Sequence, residues 1–341
     1  MMQNKHPRRN FIKQTLYAGL GAGVLSQLPL SGFAGMAPEK GKRIGIIGLD
    51  TSHSTAFTNL LNDPAAGDKY KGYTVVAAYP YGSREIESSA SRIPGYIATV
   101  KSKGVKIVDS IKALLKTVDV VLLETNDGRL HKEQALEVIK AGKTMFIDKP
   151  VANDIGDAIA IFEAAKQHKV PVFSSSSLRF TEGIEDILSG KKIGKVLAAD
   201  TFSPAKLEKT HTDFYWYGIH GVEMLFTAMG TGCQSVTRFY QDDMDVVVGV
   251  WEDGRIGTFR GTRAGKAAYG GTIFGETGNA AFGAFSYQRL LEKIIPFFET
   301  GQPPVRAEET LEICAFIEAA QKSRELGGKP VNIAEIFRQH Q

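Results

Sequence analysis

Only two cysteines, Cys233 and Cys314, stand in 341 residues. That excludes a disulfide-built scaffold, and no Cys/His cluster has the spacing of a zinc module, so no metal site is expected. Cys314 falls in "LEICAFIEAA", a helical pattern whose apolar face would bury it, and both thiols are expected to be free and buried. Charge of one sign is also lacking. The net charge of +4 comes from Lys5, Arg8, Arg9 and Lys13 in residues 1–37, which contain no acid; the rest of the chain holds 37 basic and 37 acidic residues. A neutral body offers no general field to a nucleic acid or an anionic lipid surface. Beyond the amino terminus no run is apolar enough to span a membrane. Glycine is missing where its absence matters most. "GIIGLDTSHS" at 45–54 follows a β-like run and occupies the place of G-x-G-x-x-G, yet only the first glycine, Gly48, is present. Asp50 and His53 stand at the other two positions.

What is present begins with a leader. "HPRRNFIKQ" precedes a mild apolar stretch, "TLYAGLGAGVLSQLPL", and then small residues, the order of a cleaved signal peptide. The paired arginines resemble a twin-arginine signal over residues 1–37, with cleavage expected after Ala34 or Ala37. This predicts export, to the periplasm, of a protein with no stable membrane span after cleavage.

From residue 42 short apolar β-branched runs ("KRIGIIG", "YTVVAAYP", "VVLLET", "KTMFID") alternate with amphipathic helices such as "RLHKEQALEVIKAG". That rhythm predicts βαβ units and a Rossmann-type parallel sheet over residues 42–150. After about residue 194 strands dominate, "GKVLAADTFS", "CQSVTRFYQ", "DVVVGVWED", "RIGTFRGTR", "GGTIFGET" and "AAFGAF", separated by turns. Residues 151–332 are expected to form an α+β domain with an open, largely antiparallel sheet, and "AEETLEICAFIEAAQKSREL" a final helix packing back on the first domain.

Several residues offer chemistry. Lys149, in "DKP" at the end of a parallel strand, would sit in the crevice where open α/β sheets bind ligands. Its ammonium suits a developing alkoxide; a solvated strand end is the plainer alternative. His220 and Glu223 are three apart in "YWYGIHGVE", so they share a helix face, and a carboxylate there would raise the imidazole pKa and fix its tautomer. Buried histidine packing is the alternative. Asn126 and Asp127 suit a ribose or a helix cap, and Arg179 an anion or an acid. Asp50 reads as the N-cap of the helix that follows, competing with phosphate for the same N–H groups. Thr51, Ser52 and His53 remain as donors to phosphate. After the second strand no acid is placed for a ribose; Ser83 and Arg84 would suit a 2′-phosphate.

In order along the chain, "NDGRLH", "AGK", "DKP", "RF", "KIGK" and "GIH" resemble the motif series of the glucose–fructose oxidoreductase/inositol dehydrogenase (Gfo/Idh/MocA) family, over residues 42–332. The resemblance implies a dinucleotide-binding first domain, with NAD or NADP as cofactor, and a second domain that supplies the substrate face and a homo-oligomer sheet; the expected export, to where free nucleotide is scarce, suits a tightly held cofactor. It implies Lys149 and His220 as a catalytic pair, with Glu223 or Tyr217 assisting, and His131 in the nucleotide segment. Trp216 stands where the family usually has an acid. The implied activity is hydride transfer at a sugar, cyclitol or glycoside hydroxyl. Glycoside cleavage through a keto-sugar, and cofactor-free carbohydrate binding on the same fold, are the alternatives.

Overall fold

The computed structural model describes residues 41–340; the expected leader, residues 1–37, lies outside them. Six strands form one all-parallel sheet: β1 (Arg43–Ile47), β2 (Thr74–Tyr79), β3 (Lys106–Ile107), β4 (Val120–Leu123), β5 (Met145–Asp148) and β6 (Val172–Ser175). Their order is β3-β2-β1-β4-β5-β6, the doubly wound Rossmann order. Helices cover both faces, so β4 and β5 are buried throughout and read as unbroken apolar runs rather than alternations. The boundary expected at residue 150 falls inside this sheet, between β5 and β6.

The second sheet is mixed. β7 (Val196–Pro204), β8 (Cys233–Gln241), β9 (Met244–Trp251), β10 (Ile256–Thr262), β11 (Gly270–Gly275), β12 (Asn279–Phe282) and β13 (Val331–Asn332) take the order β12-β11-β7-β10-β9-β8-β13. Only the β7–β10 pair is parallel. One face packs on the helix Ile219–Met229, which carries His220 and Glu223. On the other face Phe202, Phe239, Val250 and Ile256 are exposed.

The helix Ala307–Glu325 packs on β8 and on the helices Ile155–His168 and Ile219–Met229, so it touches elements of both halves of the chain. Cys233 and Cys314 are free and buried. A helix the pattern reading passed over, Tyr287–Thr300, buries Leu290, Leu291, Ile294, Ile295, Phe297 and Phe298. That is a three-to-four residue spacing, each side chain worth about 1.5–3 kcal/mol when withdrawn from water. Ser286 caps it by accepting from Gln288 N. It packs on the helix Ser52–Leu61 and carries Tyr287 to the edge of the His53 ring, 4.6 Å between centroids.

Candidate active site

The first βα turn is held as a nucleotide fold requires. Gly48 has φ +90°, and a Cβ there would come within 2.5 Å of Thr125 N, so only glycine fits between β1 and β4. Asp50 does not cap the next helix. Thr51 is the N-cap residue and makes no side-chain cap. Asp50 is fully buried and its Oδ1 instead accepts from Asn126 N, 3.1 Å away. Its carboxylate also fills the space beside Gly82, where a Cβ would lie 2.0 Å from Oδ2. One side chain therefore joins the loops after β1, β2 and β4. Burial outweighs the Asn126 backbone donor and pushes its pKa up to about 7.

A cleft of roughly 110 Å³ opens at the carboxyl ends of β1, β4 and β5. Thr51, Ser52, His53, Asn126, Lys149, Tyr217 and His220 line it, and Tyr269, Phe285 and Tyr287 close it on the other side. Lys149 is almost wholly buried, with Nζ 5.6 Å from the centre of the Tyr217 ring. Tyr217 in turn meets His220 edge-on, centroids 6.0 Å apart. The His220 Nδ1 pairs with Ser176 Oγ at 2.7 Å, leaving Nε2 as the nitrogen available to the cleft. Burial first, then the neighbouring Lys149 and His53, hold the His220 pKa well below the usual imidazole value. The ring is therefore neutral at neutral pH and ready to take a proton.

Glu223 does not touch His220. It accepts from Ser176 N at 3.0 Å and from Arg179 Nε at 3.3 Å. It positions Ser176, and Ser176 positions the imidazole. The expectation that Glu223 raises the His220 pKa and sets its tautomer is corrected: the ring's direct partner is a hydroxyl, and burial shifts the pKa downward. Arg179 lies outside the cleft, held between Glu223 and Glu309 (Nη1 to Oε1, 2.5 Å). His131 is fully buried, with Nδ1 2.8 Å from Pro150 O and Nε2 2.6 Å from Thr125 O, so it ties the ends of β4 and β5 together from below.

A second depression, roughly 350 Å³, runs along the ends of β2 and the helix Gly128–Lys140, lined in part by Tyr79, Tyr81, Ser83, Arg84, Asp127 and Arg129. Asp127 is committed elsewhere: it caps that helix by accepting from Arg129 N at 3.1 Å and pairs with the Arg129 guanidinium. Ser83 Oγ accepts from Glu85 N at 3.2 Å. Arg84 lies over the Tyr81 ring at 5.4 Å, while Glu85 is taken by Arg129.

Residues 42–176 match the Gfo/Idh/MocA oxidoreductase family model, an NAD-binding Rossmann fold. Among curated relatives, a 1,5-anhydro-D-fructose reductase of Ensifer adhaerens is 33% identical over 122 residues, 34% of this chain and 36% of the relative. An uncharacterized oxidoreductase of Streptococcus pneumoniae is 24% identical over 156 residues, 41% of this chain and 42% of the relative. The chain thus spans less than half the length of these curated relatives. Solved structures match more widely. A probable dehydrogenase from Thermotoga maritima superposes with a TM-score of 0.70 at 20% identity, covering 86% of this chain and 99% of that one. The scyllo-inositol dehydrogenase of Lactobacillus casei, solved with NAD(H) and scyllo-inositol, gives 0.69 at 16% identity, covering 86% and 99%. Over 86% of its length the chain therefore shares the fold of these solved dehydrogenases, while the family model matches residues 42–176.

Sequence reasoning missed Glu124, Asp148 as a cleft group, Ser176, Tyr269 and Tyr287. Ser176 was hidden in the run "SSSS", where nothing distinguishes one hydroxyl from its neighbours. Glu124 and Asp148 are signalled weakly, as lone acids closing apolar strands.

Proposed function

We propose that this chain is an NAD(P)-dependent oxidoreductase acting on a hydroxyl of a sugar, cyclitol or glycoside. The observation that carries the reading is the meeting of Lys149, from the parallel sheet, and His220, from the helix beneath the second sheet, in one cleft at the strand ends. A nicotinamide cofactor supplies the hydride acceptor or donor. The chain's residues fit it in three respects. Gly48 keeps the tight turn. The first turn of the helix Ser52–Leu61 carries no acid and no side-chain cap, leaving its N–H groups for a diphosphate. Asp50, the one carboxylate in the turn, is about half protonated near neutral pH.

Lys149 donates to the substrate oxygen and stabilises the charge that builds on it. His220 Nε2 takes the hydroxyl proton on oxidation and returns it on reduction. Ser176 Oγ can donate to Nδ1 or accept from it, so the ring is held in place in either tautomer. Tyr269, Phe285 and Tyr287 exclude water on the far side. With no acid at the end of β2, the second depression offers Arg84 and Ser83 to the adenosine end, an arrangement open to NADP as well as NAD. Near-stoichiometric NAD(H) or NADP(H) released on acid denaturation of the purified protein is the expected result. Neither released nucleotide nor calorimetric binding at millimolar nucleotide would overturn the reading.

The chain is also proposed to form homo-oligomers through the open face of the second sheet. Phe202, Phe239, Val250 and Ile256 lie exposed there, and an apolar face of this kind is seldom left bare to water. Ile256→Glu is expected to shift the mass measured by light scattering to that of a single chain, with the far-ultraviolet circular dichroism spectrum unchanged. An unchanged mass would refute this surface.

A further inference from the structure

We propose that His53, Glu124 and Asp148 form a divalent-cation site in the floor of the cleft, for a borderline ion of the Zn²⁺ or Mn²⁺ class. His53 Nδ1 lies 3.0 Å from Asp148 Oδ1 and 3.7 Å from Glu124 Oε2. One ligand atom from each residue falls within 4.8 Å of the others. Metal bonds to such donors are about 2.0–2.2 Å long, so donors sharing one ion sit roughly 3–4 Å apart. Small side-chain rotations bring all three into that range.

The independent observation is Glu124. It is 0% exposed, and neither carboxylate oxygen has a hydrogen-bond partner. A buried carboxylate left unpaired is costly, and native structures resolve that cost with a partner, a proton or an ion. His53 Nδ1 points at both acids and is paired with Asp148 Oδ1, which leaves Glu124 as the unpaired member. Among the ion pairs of the described residues His53 is the one counter-group of Glu124, at 3.7 Å, and the Lys149 charge acts on it from beyond ion-pair distance. One imidazole with two carboxylates is a donor set for Zn²⁺ or Mn²⁺; calcium prefers oxygen alone, and softer ions prefer thiolate.

The site has an open side. His53 and Asp148 line the cleft, together with Ser52, Lys149 and Tyr217, whereas Glu124 lies behind them. An ion here would present its remaining coordination positions to the cleft. The ligand class that fits is a vicinal diol or an α-hydroxy carbonyl, which can chelate an ion through two oxygens. Residue 53 stands at the third position of the glycine motif, so the substitution that removes a glycine is the one that supplies the imidazole.

The inference does not rest on nucleotide binding. Purified full-length protein without a histidine tag, dialysed against metal-free buffer, is titrated calorimetrically with ZnCl₂ and MnCl₂, and its metal content is measured by mass spectrometry. About one equivalent bound, with affinity lowered at least about 10-fold in Glu124→Gln and unchanged in Glu85→Gln, is the expected result. If Glu124→Gln does not fold, His53→Asn gives the same readout. Wild-type protein that binds neither ion at 1 mM, or variants that bind as well as wild type, would overturn the site. Protein that binds NAD(P)H but no metal would leave the dehydrogenase reading standing and this inference refuted.

Discussion

Lys149→Ala is expected to lower turnover by about 10²–10⁴-fold on a sugar or cyclitol substrate, with bound nucleotide retained. The size follows from where the ammonium sits. Lys149 is 7% exposed, faces the Tyr217 ring and lies at the end of β5. A charge held in so dry a place interacts with a forming alkoxide far more strongly than in water. Its backbone N also donates to Asp148 Oδ1 at 2.8 Å, which fixes the start of the side chain. Alanine removes the donor and leaves a space that water can enter without being aimed. Lys149→Arg is expected to restore little, because a planar fork does not replace a compact ammonium in a cleft of about 110 Å³. The checks are steady-state kinetics at saturating substrate and the nucleotide content of the purified variant. Full turnover in Lys149→Ala would remove Lys149 from the chemistry.

Asp50→Asn is expected to flatten the fall in stability between pH 4 and pH 7. Burial raises the folded-state pKa of Asp50 to about 7, against 3.8 for an ordinary aspartate carboxyl. Between those values the folded protein holds a proton that the unfolded chain has lost. Stability therefore declines as pH rises through this window, and the loss is complete above about pH 7. At 1.36 kcal/mol per pH unit, the difference of about three units is worth at most ~4 kcal/mol. Glu223 is also raised by burial, despite Arg179 beside it, and adds to the same slope. Asparagine keeps an oxygen for Asn126 N and cannot ionise. Urea melts at pH 5 and pH 8 read the result: the stability of the variant relative to wild type rises by up to about 2.7 kcal/mol between them. Parallel pH dependence in the two proteins would show that Asp50 does not control it.

The sheet was legible because burial on both faces writes itself as apolar runs, as in "VVLLET" and "KTMFID". The second sheet was legible from its turns. The helix Tyr287–Thr300 was not, because Pro296 interrupts its pattern. The site divides in the same way. Lys149 and His220 sit in short motifs at element ends, where position along the chain already implies a place in the crevice. The role of Asp50 was misread because capping is a local rule, while its real partner, Asn126, is 76 residues away. His53, Glu124 and Asp148 share no spacing, and only the parallel register of β1, β4 and β5 brings them together. Glu223 was placed on the correct helix face but one residue too close to the chemistry, since the intervening Ser176 arrives from β6.

The ends of the second sheet deserve comparison with its face. β13 is two residues long and β12 four, and these are the strands at the two margins. Neither presents enough free backbone to template an incoming strand. The apolar side chains lie on the flat of the sheet instead. The proposed self-association would thereby be steered toward stacking of broad surfaces, which closes on itself as a pair, and away from strand-by-strand growth, which does not end.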